Sequence, residues 1–275
     1  MINTLEYALI VVIEGNSNSI NSKTCPRLLE DEAIKCFKHW RKNGGIYSNI
    51  DIYCICVSGN SPQQTTIDEM KKYNVNYIEH YMPETKGFKN GWWCKPLGCA
   101  VLEKMLPHRY LIHIDLDMYL YREINFRLDH NACLVYDELD SATERKFTSE
   151  FKNNFKPFNT CFMVVDRMYS IFKKWYDELI KLENSYVNNT DYYKKYFTDI
   201  EYCKLEEGAF DIISLNLDLN ITPIVDIMYG ETYTHIKNMS TTKNVCFHHY
   251  HLYDKYNLNN YNFIKDKLLF YNEYS

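Results

Sequence analysis

Tyr110-Leu111-Ile112-His113-Ile114-Asp115-Leu116-Asp117 is the stretch on which the reading of this chain turns. A short, mostly apolar run stops abruptly at two carboxylates two positions apart. Such a run, bounded by polar residues, reads as a buried strand. In α/β sheets, functional side chains gather beyond the carboxyl ends of strands. Two acids in that place can share one hard divalent cation, because Mg²⁺ and Mn²⁺ prefer oxygen ligands and keep positions open for phosphate. A lone DxD tripeptide is more often a pair of solvated loop acids. Its position at the end of a buried strand favours the metal.

Upstream, the chain alternates. Residues 8–13 form an apolar, β-branched run that ends at Glu14-Gly15-Asn16, a strand followed by a loop. Thr24 and Pro26 suit a helix start. Leu29, Ala33, Phe37 and Trp40 then recur at helical spacing until Gly44-Gly45. A strand is expected over 51–57, a helix over 65–73, a strand over 75–80 and a helix over 96–105. Strands alternating with helices imply a mainly parallel, Rossmann-like sheet with helices on both faces.

Downstream, 132–136 and 162–165 read as strands and 168–182 as a helix. The polar, Tyr-rich stretch 186–200 reads as a mobile insertion. A helix is expected over 205–219, with short apolar runs at 221–225 and 245–247. No internal repeat and no low-complexity linker divides the chain. One domain over 1–275 is expected, with a nucleotide-binding half over about 1–120 and an acceptor-binding half over about 121–275.

Composition narrows the class. The 275 residues are 46% hydrophobic and 24% charged, which excludes a disordered or collagenous chain. Lys and Arg number 31 against 36 Asp and Glu, a net charge of −5, so the basic excess of a non-specific nucleic-acid binder is missing. Ten cysteines occur without a CxxC pair, so zinc-ribbon spacing is absent. Most lie among apolar residues, as in Tyr53-Cys54-Ile55-Cys56-Val57, and read as buried thiols in a reducing compartment. There is no signal-peptide pattern and no apolar run long enough to span a membrane, which makes a cytoplasmic protein the expectation.

Three further clusters carry chemistry. In Val245-Cys246-Phe247-His248-His249-Tyr250-His251, neutral imidazole could supply a third metal ligand, against the alternative of a hydrogen-bonded surface cluster. Asn159, before an apolar run, has the donors and acceptor to read sugar hydroxyls, or it is a turn residue. Glu207 and Asp211, four apart, share a helix face. One could be a general base or a transition-state stabiliser, or both could be a helix-start acidic cluster.

In this order the clusters resemble GT-A fold glycosyltransferases. The pattern is closest to the glycogenin and lipopolysaccharide galactosyltransferase group, glycosyltransferase family 8, with some flavour of family 34. The nucleotide-binding strand is matched by residues 8–14, with Ile13 and Glu14 at its end, and the basic residue before the metal strand by Lys95. The DxD motif is matched by Asp115 and Asp117. The Asn-Thr/Ser-Gly strand is matched by Asn159-Thr160-Cys161, where cysteine replaces glycine. The late His-x-x-Gly-x-x-Lys motif is matched from His249 to Lys255, with Leu252 in place of glycine.

The resemblance implies a metal site of Asp115, Asp117 and His249 holding Mn²⁺ or Mg²⁺. It implies a donor site of Ile13, Glu14, Lys95, Asp115, Asn159 and Lys255. Glu207 and Asp211 are its catalytic carboxylates, and Trp92, Trp93 and Asp137 its acceptor-side residues, with core packing favoured for at least one of the two tryptophans. The donor would be a nucleoside diphosphate sugar, most simply a UDP-sugar. The acceptor would be a hydroxyl of a glycan, a protein or a small molecule, with retention favoured. Two other classes compete. A DxD phosphatase carries its motif on the first strand, not the fourth. A silent GT-A binding protein would bind nucleotide sugar without turnover.

Overall fold

The computed structural model describes residues 4–15, 29–82, 93–116, 118–120, 132–136, 145–152, 158–216, 221–223, 227–229 and 247–249. The chain forms two compact units, each assembled from separated segments. The first takes residues 1–10, 92–114 and 126–225, and the second takes 11–91, 115–125 and 226–275.

The first unit is built on β1 (Tyr7–Val12, of which 7–10 belong here), β4 (Tyr110–Ile114), β6 (Ala132–Tyr136), β8 (Phe158–Asp166) and β10 (Ile221–Pro223). Their order is β10-β6-β8-β4-β1. Four strands run one way, and β8 runs antiparallel to both β4 and β6. All nine residues of β8 are buried, which explains its unbroken apolar character after Thr160. The mainly parallel α/β sheet expected from the sequence is present.

Helices α3 (Cys94–Met105), α5 (Ile171–Val187) and α7 (Leu205–Asn216) pack with this sheet. Trp175 of α5 is fully buried, with Phe210 of α7 edge-on at 5.6 Å. A second small sheet pairs β7 (Arg145–Phe147) with β9 (Phe197–Ile200). The stretch read as a mobile insertion is therefore structured. It holds the end of α5, helix α6 (Asp191–Tyr196) and β9, and Tyr196, Phe197 and Ile200 are buried. Its polar residues cover a few apolar anchors spaced too irregularly to show a period.

In the second unit β2 (Asp51–Cys56) pairs in parallel with β3 (Val75–Glu79), flanked by α1 (Leu29–Asn43) and α2 (Gln64–Lys72). Helix α1 has Glu30, Asp31 and Glu32 in its first turn and Arg41 and Lys42 in its last, the charge order its dipole favours. Arg41 donates to the carbonyls of Tyr73, Ser48, Ile50 and Asn74, joining the helix end to two loops. A three-stranded sheet of β11 (Ile227–Tyr229), β12 (Phe247–His249) and β5 (Met118–Leu120) completes the unit. The short helix α4 (Ser149–Lys152) follows β7 in the first unit.

Cys36, Cys54, Cys56, Cys94, Cys99, Cys133 and Cys161 are buried, as their apolar surroundings imply. Burial raises the Cys54 and Cys56 thiols, so they stay protonated. Among the described residues, no helix is long and apolar enough to cross a membrane.

Candidate functional site

Strand β4 ends at Ile114, and Asp115 follows, half-buried. The Asp115 carbonyl accepts from the Met118 amide at 3.2 Å, turning the chain directly into β5. Strand β12 then pairs antiparallel with β5, setting His249 opposite Met118, His248 opposite Tyr119 and Phe247 opposite Leu120. In chain order Met118 follows Asp117. The register thus brings His249, more than a hundred residues downstream, to the turn that begins at Asp115, with His248 one step further away. Asp117, His251 and Lys255 lie outside the described residues.

Helix α1 holds this turn from the other end of β5. The Leu120 carbonyl accepts from Asn43 Nδ2 at 2.6 Å and faces His39 Nδ1 at 3.2 Å. A carbonyl can only accept, so His39 carries its proton on Nδ1. Burial lowers His39 below its ordinary value of 6.5. The unfolded chain then takes up this proton before the folded one, so stability falls as the pH drops through about 6.5. We expect the thermal midpoint to fall between about pH 7 and about pH 5, and His39→Gln to flatten that slope, both read by calorimetry. An unchanged slope in the variant would remove His39 as the source.

The expected donor end of β1 is also in the second unit. The Ile13 amide donates to the Ile55 carbonyl at 2.9 Å, carrying the pairing past the end of β1, and Glu14 follows half-buried. Gly15 then meets the loop after β2. Its amide donates to the Asn60 carbonyl at 2.7 Å, and Asn60 Nδ2 returns a bond to the Gly15 carbonyl at 3.0 Å. A Cβ on Gly15 would stand 2.6 Å from the Ser61 carbonyl oxygen, so only glycine allows the two loops this approach. Both loops leave carboxyl ends of strands, where α/β sheets bind ligands.

In the first unit, β8 carries a wide irregularity. Its pairing with β6 jumps from Met163–Leu134 to Asn159–Val135, which leaves 160–162 without a β6 partner. Asn159 Oδ1 accepts from the Cys161 amide at 2.8 Å and holds the bulge. The expectation of a turn residue before the strand is corrected in one respect: Asn159 and Thr160 are inside the strand and buried. The bulge presents Thr160 to α3 and α7. Lys95 Nζ donates to Thr160 Oγ1 at 3.0 Å, Thr160 donates to Glu206 Oε1 at 2.6 Å, and Lys95 closes the triangle on Glu206 Oε1 at 3.0 Å. Lys95 lies in the first turn of α3, where the helix dipole disfavours a cation, and Glu206 offsets that cost. The Lys95 side chain keeps 16% exposure against 1% for Glu206.

Glu207 and Asp211 lie one turn apart on α7 and converge on Arg145. The fully buried guanidinium of Arg145 contacts Glu207 through one terminal nitrogen and Asp211 Oδ2 at 3.2 Å through Nε. It also donates to the Phe158 carbonyl at 3.3 Å. Lys204 Nζ adds a contact to Glu207 at 3.2 Å, and Asp211 Oδ1 accepts from the Phe158 amide at 3.0 Å. Burial would raise the Glu207 carboxyl, but Arg145, Lys204 and Lys95 outweigh it and hold it below the usual carboxylate range. Three cations thus face three carboxylates around the bulge. Arg145 was not singled out from the sequence. An arginine between Glu144 and Lys146 carries no mark of burial until its carboxylates, some sixty residues later, are seen beside it.

Trp93, expected on the acceptor side, is fully buried with its ring centroid 5.2 Å from that of Tyr202, so it packs the interior of the first unit. Trp92 and Asp137 lie outside the described residues.

No protein-family model and no curated protein matches the chain. Solved structures share its fold. One is the galactosyltransferase LgtC in complex with donor and acceptor sugar analogs, 9% identical, with a TM-score of 0.52 over 88% of this chain and 86% of that one. Another is mouse xyloside xylosyltransferase 1 in its apo form, 13% identical, with a TM-score of 0.51 over 88% of this chain and 97% of that one. The fold is GT-A.

Proposed function

We propose that this GT-A chain is a metal-dependent glycosyltransferase. It moves a sugar from a nucleoside diphosphate donor, a UDP-sugar, to an acceptor hydroxyl with retention at the anomeric carbon. The observation that carries the reading is the register of β12 on β5, which brings His249 to the Asp115 turn at the end of a buried parallel strand. The shared fold with a galactosyltransferase and a xylosyltransferase supports sugar transfer as the chemistry.

Asp115, Asp117 and His249 would hold Mn²⁺ or Mg²⁺. Two carboxylates and an imidazole are a donor set that suits these ions. When bound, the metal supplies Lewis-acid stabilisation of the charge that builds on the leaving diphosphate. The residues of the chain do the rest. Lys95, anchored on Thr160 and Glu206, offers fixed positive charge, as Lys255 does from the late motif. Ile13 and Glu14 end the strand whose loop, closed against Asn60, receives the nucleotide. Asn159, fixed in the bulge, keeps its amide nitrogen for a sugar hydroxyl while its oxygen is engaged by Cys161.

Retention agrees with the carboxylates. An inverting attack needs a base that can reach the acceptor hydroxyl. Glu207 and Asp211 are instead buried and paired with Arg145, which joins α7 to β7 and β8. In a retaining reaction the leaving phosphate takes the acceptor proton, so neither carboxylate has to.

The test is thermal unfolding with UDP, GDP and a panel of sugar nucleotides, each with Mn²⁺ and again with EDTA. Donor at about 100 times its dissociation constant should add about 2.7 kcal/mol, a rise of roughly 5–10 °C. A rise with one nucleotide that EDTA abolishes, together with sugar release or transfer, is expected. A rise without turnover on any acceptor or water would identify a binding protein. No rise in folded protein would overturn the reading.

A further inference from the structure

Four of the seven strongly exposed large apolar side chains among the described residues gather at one end of the first unit. They are Leu5, 85% exposed, Met168, 75%, Met105, 51%, and Tyr169, 46%. Topology places them together. Tyr7 pairs with Tyr110 and Tyr110 with Asp166, so Leu5, two residues before Tyr7, and Met168, two after Asp166, pass the sheet at the same end. Arg167 joins the corner to the end of α3. Its amide donates to the Arg109 carbonyl at 2.8 Å and its side chain to the Pro107 carbonyl at 3.5 Å, two residues after Met105. This is where β1 and β4 begin, the end away from the turn at Asp115.

Cations rim these side chains. Lys104 is exposed at the end of α3, Lys173 and Lys174 are exposed in the first turn of α5, and Arg109 keeps 55% exposure while paired to the buried Asp166. Arg167 and Lys174 both bear on Glu103, a buried carboxylate whose two oxygens cap the Phe172 and Lys173 amides. Glu103 and Asp166 are thus covered by the protein, while Lys104, Arg109 and Lys174 are exposed and Lys173 pairs with Asp177 at the rim. The half-buried acids nearby are Glu6 and Asp177.

We propose that this end of the first unit docks on an anionic membrane surface. Leu5, Met168, Met105 and Tyr169 would enter the headgroup region, and Lys104, Arg109 and Lys174 would face the lipid phosphates. A side chain 75–85% exposed touches little of its own chain, so it costs the fold nothing to transfer it into an apolar layer. Separate protruding side chains from three elements, ringed by cations, fit a fluid and negatively charged surface, whose potential attracts each nearby Lys or Arg. The inference does not rest on the sugar-transfer reading, because no residue of the candidate site is in the patch.

The experiment is co-sedimentation of the full chain with phosphatidylserine–phosphatidylcholine vesicles and with phosphatidylcholine vesicles. Binding to the anionic vesicles alone is expected, weakening as salt shortens the screening length below about 10 Å. Leu5→Glu and Met168→Glu should each weaken it about tenfold or more, by removing buried apolar area and adding an anion. Lys174→Glu should weaken it at least about fivefold. Thermal midpoints of the three variants should stay with the parent, since all three side chains are exposed. Equal binding to both vesicle types, or none, would overturn the proposal. So would a concentration-dependent dimer, seen in sedimentation velocity, that Met168→Glu dissolves without any vesicle binding. In that case the patch would be an interface between two copies.

Discussion

Asp117→Asn and His249→Ala are each expected to reduce sugar transfer by about a thousandfold, the scale of losing a Lewis acid worth several kcal/mol in the transition state. Asp117 stands between Asp115, whose carbonyl makes the turn, and Met118, whose strand partner is His249. Removing any one of three ligands opens the set, and a divalent ion with two ligands and water exchanges easily. A readout independent of turnover comes first. The parent should show a Mn²⁺-dependent rise in thermal midpoint with the matching nucleotide, and both variants should lose it while keeping their midpoint without metal. His248→Ala is the control. His248 pairs with Tyr119, one step further from the turn, and should keep at least most of the parent's activity. Equal loss in His248→Ala and His249→Ala would sink the assignment of the third ligand. Full activity in Asp117→Asn would sink the metal site.

Arg145→Met is expected to destabilise the protein by about 3–5 kcal/mol, because it leaves buried carboxylates uncompensated. For a chain of this size that is a fall of roughly 6–20 °C in thermal midpoint. The guanidinium has no exposure, and neither does Asp211. Glu207 would keep only Lys204 and Lys95 to hold its charge, and burial would then push its carboxyl upward. The pH dependence follows from the sign. In the parent, the folded-state value of Glu207 is lowered, so its contribution is present above the ordinary carboxylate range. It is lost as the pH falls through the lowered value. Arg145→Met should remove that acid-side segment of the stability curve. Arg145→Lys should rescue little, since a single ammonium cannot reach Glu207, Asp211 and the Phe158 carbonyl together. The triple variant Arg145→Met, Glu207→Gln, Asp211→Asn should recover part of the loss, which would identify the uncompensated charge as its cause. A midpoint of Arg145→Met within about 2 °C of the parent would show that the carboxylates are held by other groups.

Period and punctuation were enough for the first half of the chain. β1, β2, β3 and β4 lie within a residue or so of where apolar runs and polar stops put them, and α1 ends at Gly44 as expected. These segments are buried on one stripe or on both faces, so their hydrophobic pattern is itself the structural constraint. β5, β7 and β11 are three-residue strands, too short to hold a period, and no signal marked them. The helix expected at 168–182 begins at Ile171, because Asp166 accepts from the Met168 amide and starts a 3-10 turn first, with Ser170 left-handed before the helix proper.

The sequence by itself determined an alternating α/β chain with two acids at the end of its fourth strand, buried cysteines and a resemblance to GT-A enzymes. Each of these is a local property, written in neighbours three, four or two positions apart. Only the tertiary structure decided which histidine of the late cluster pairs beside the acidic turn, because that rests on the register of β12 against β5. Only it showed that Glu207 and Asp211 close on Arg145, that Trp93 faces inward, and that Asn159 and Thr160 sit in a bulge. Those facts come from pairings between segments distant in the chain, and nothing local to either partner names the other.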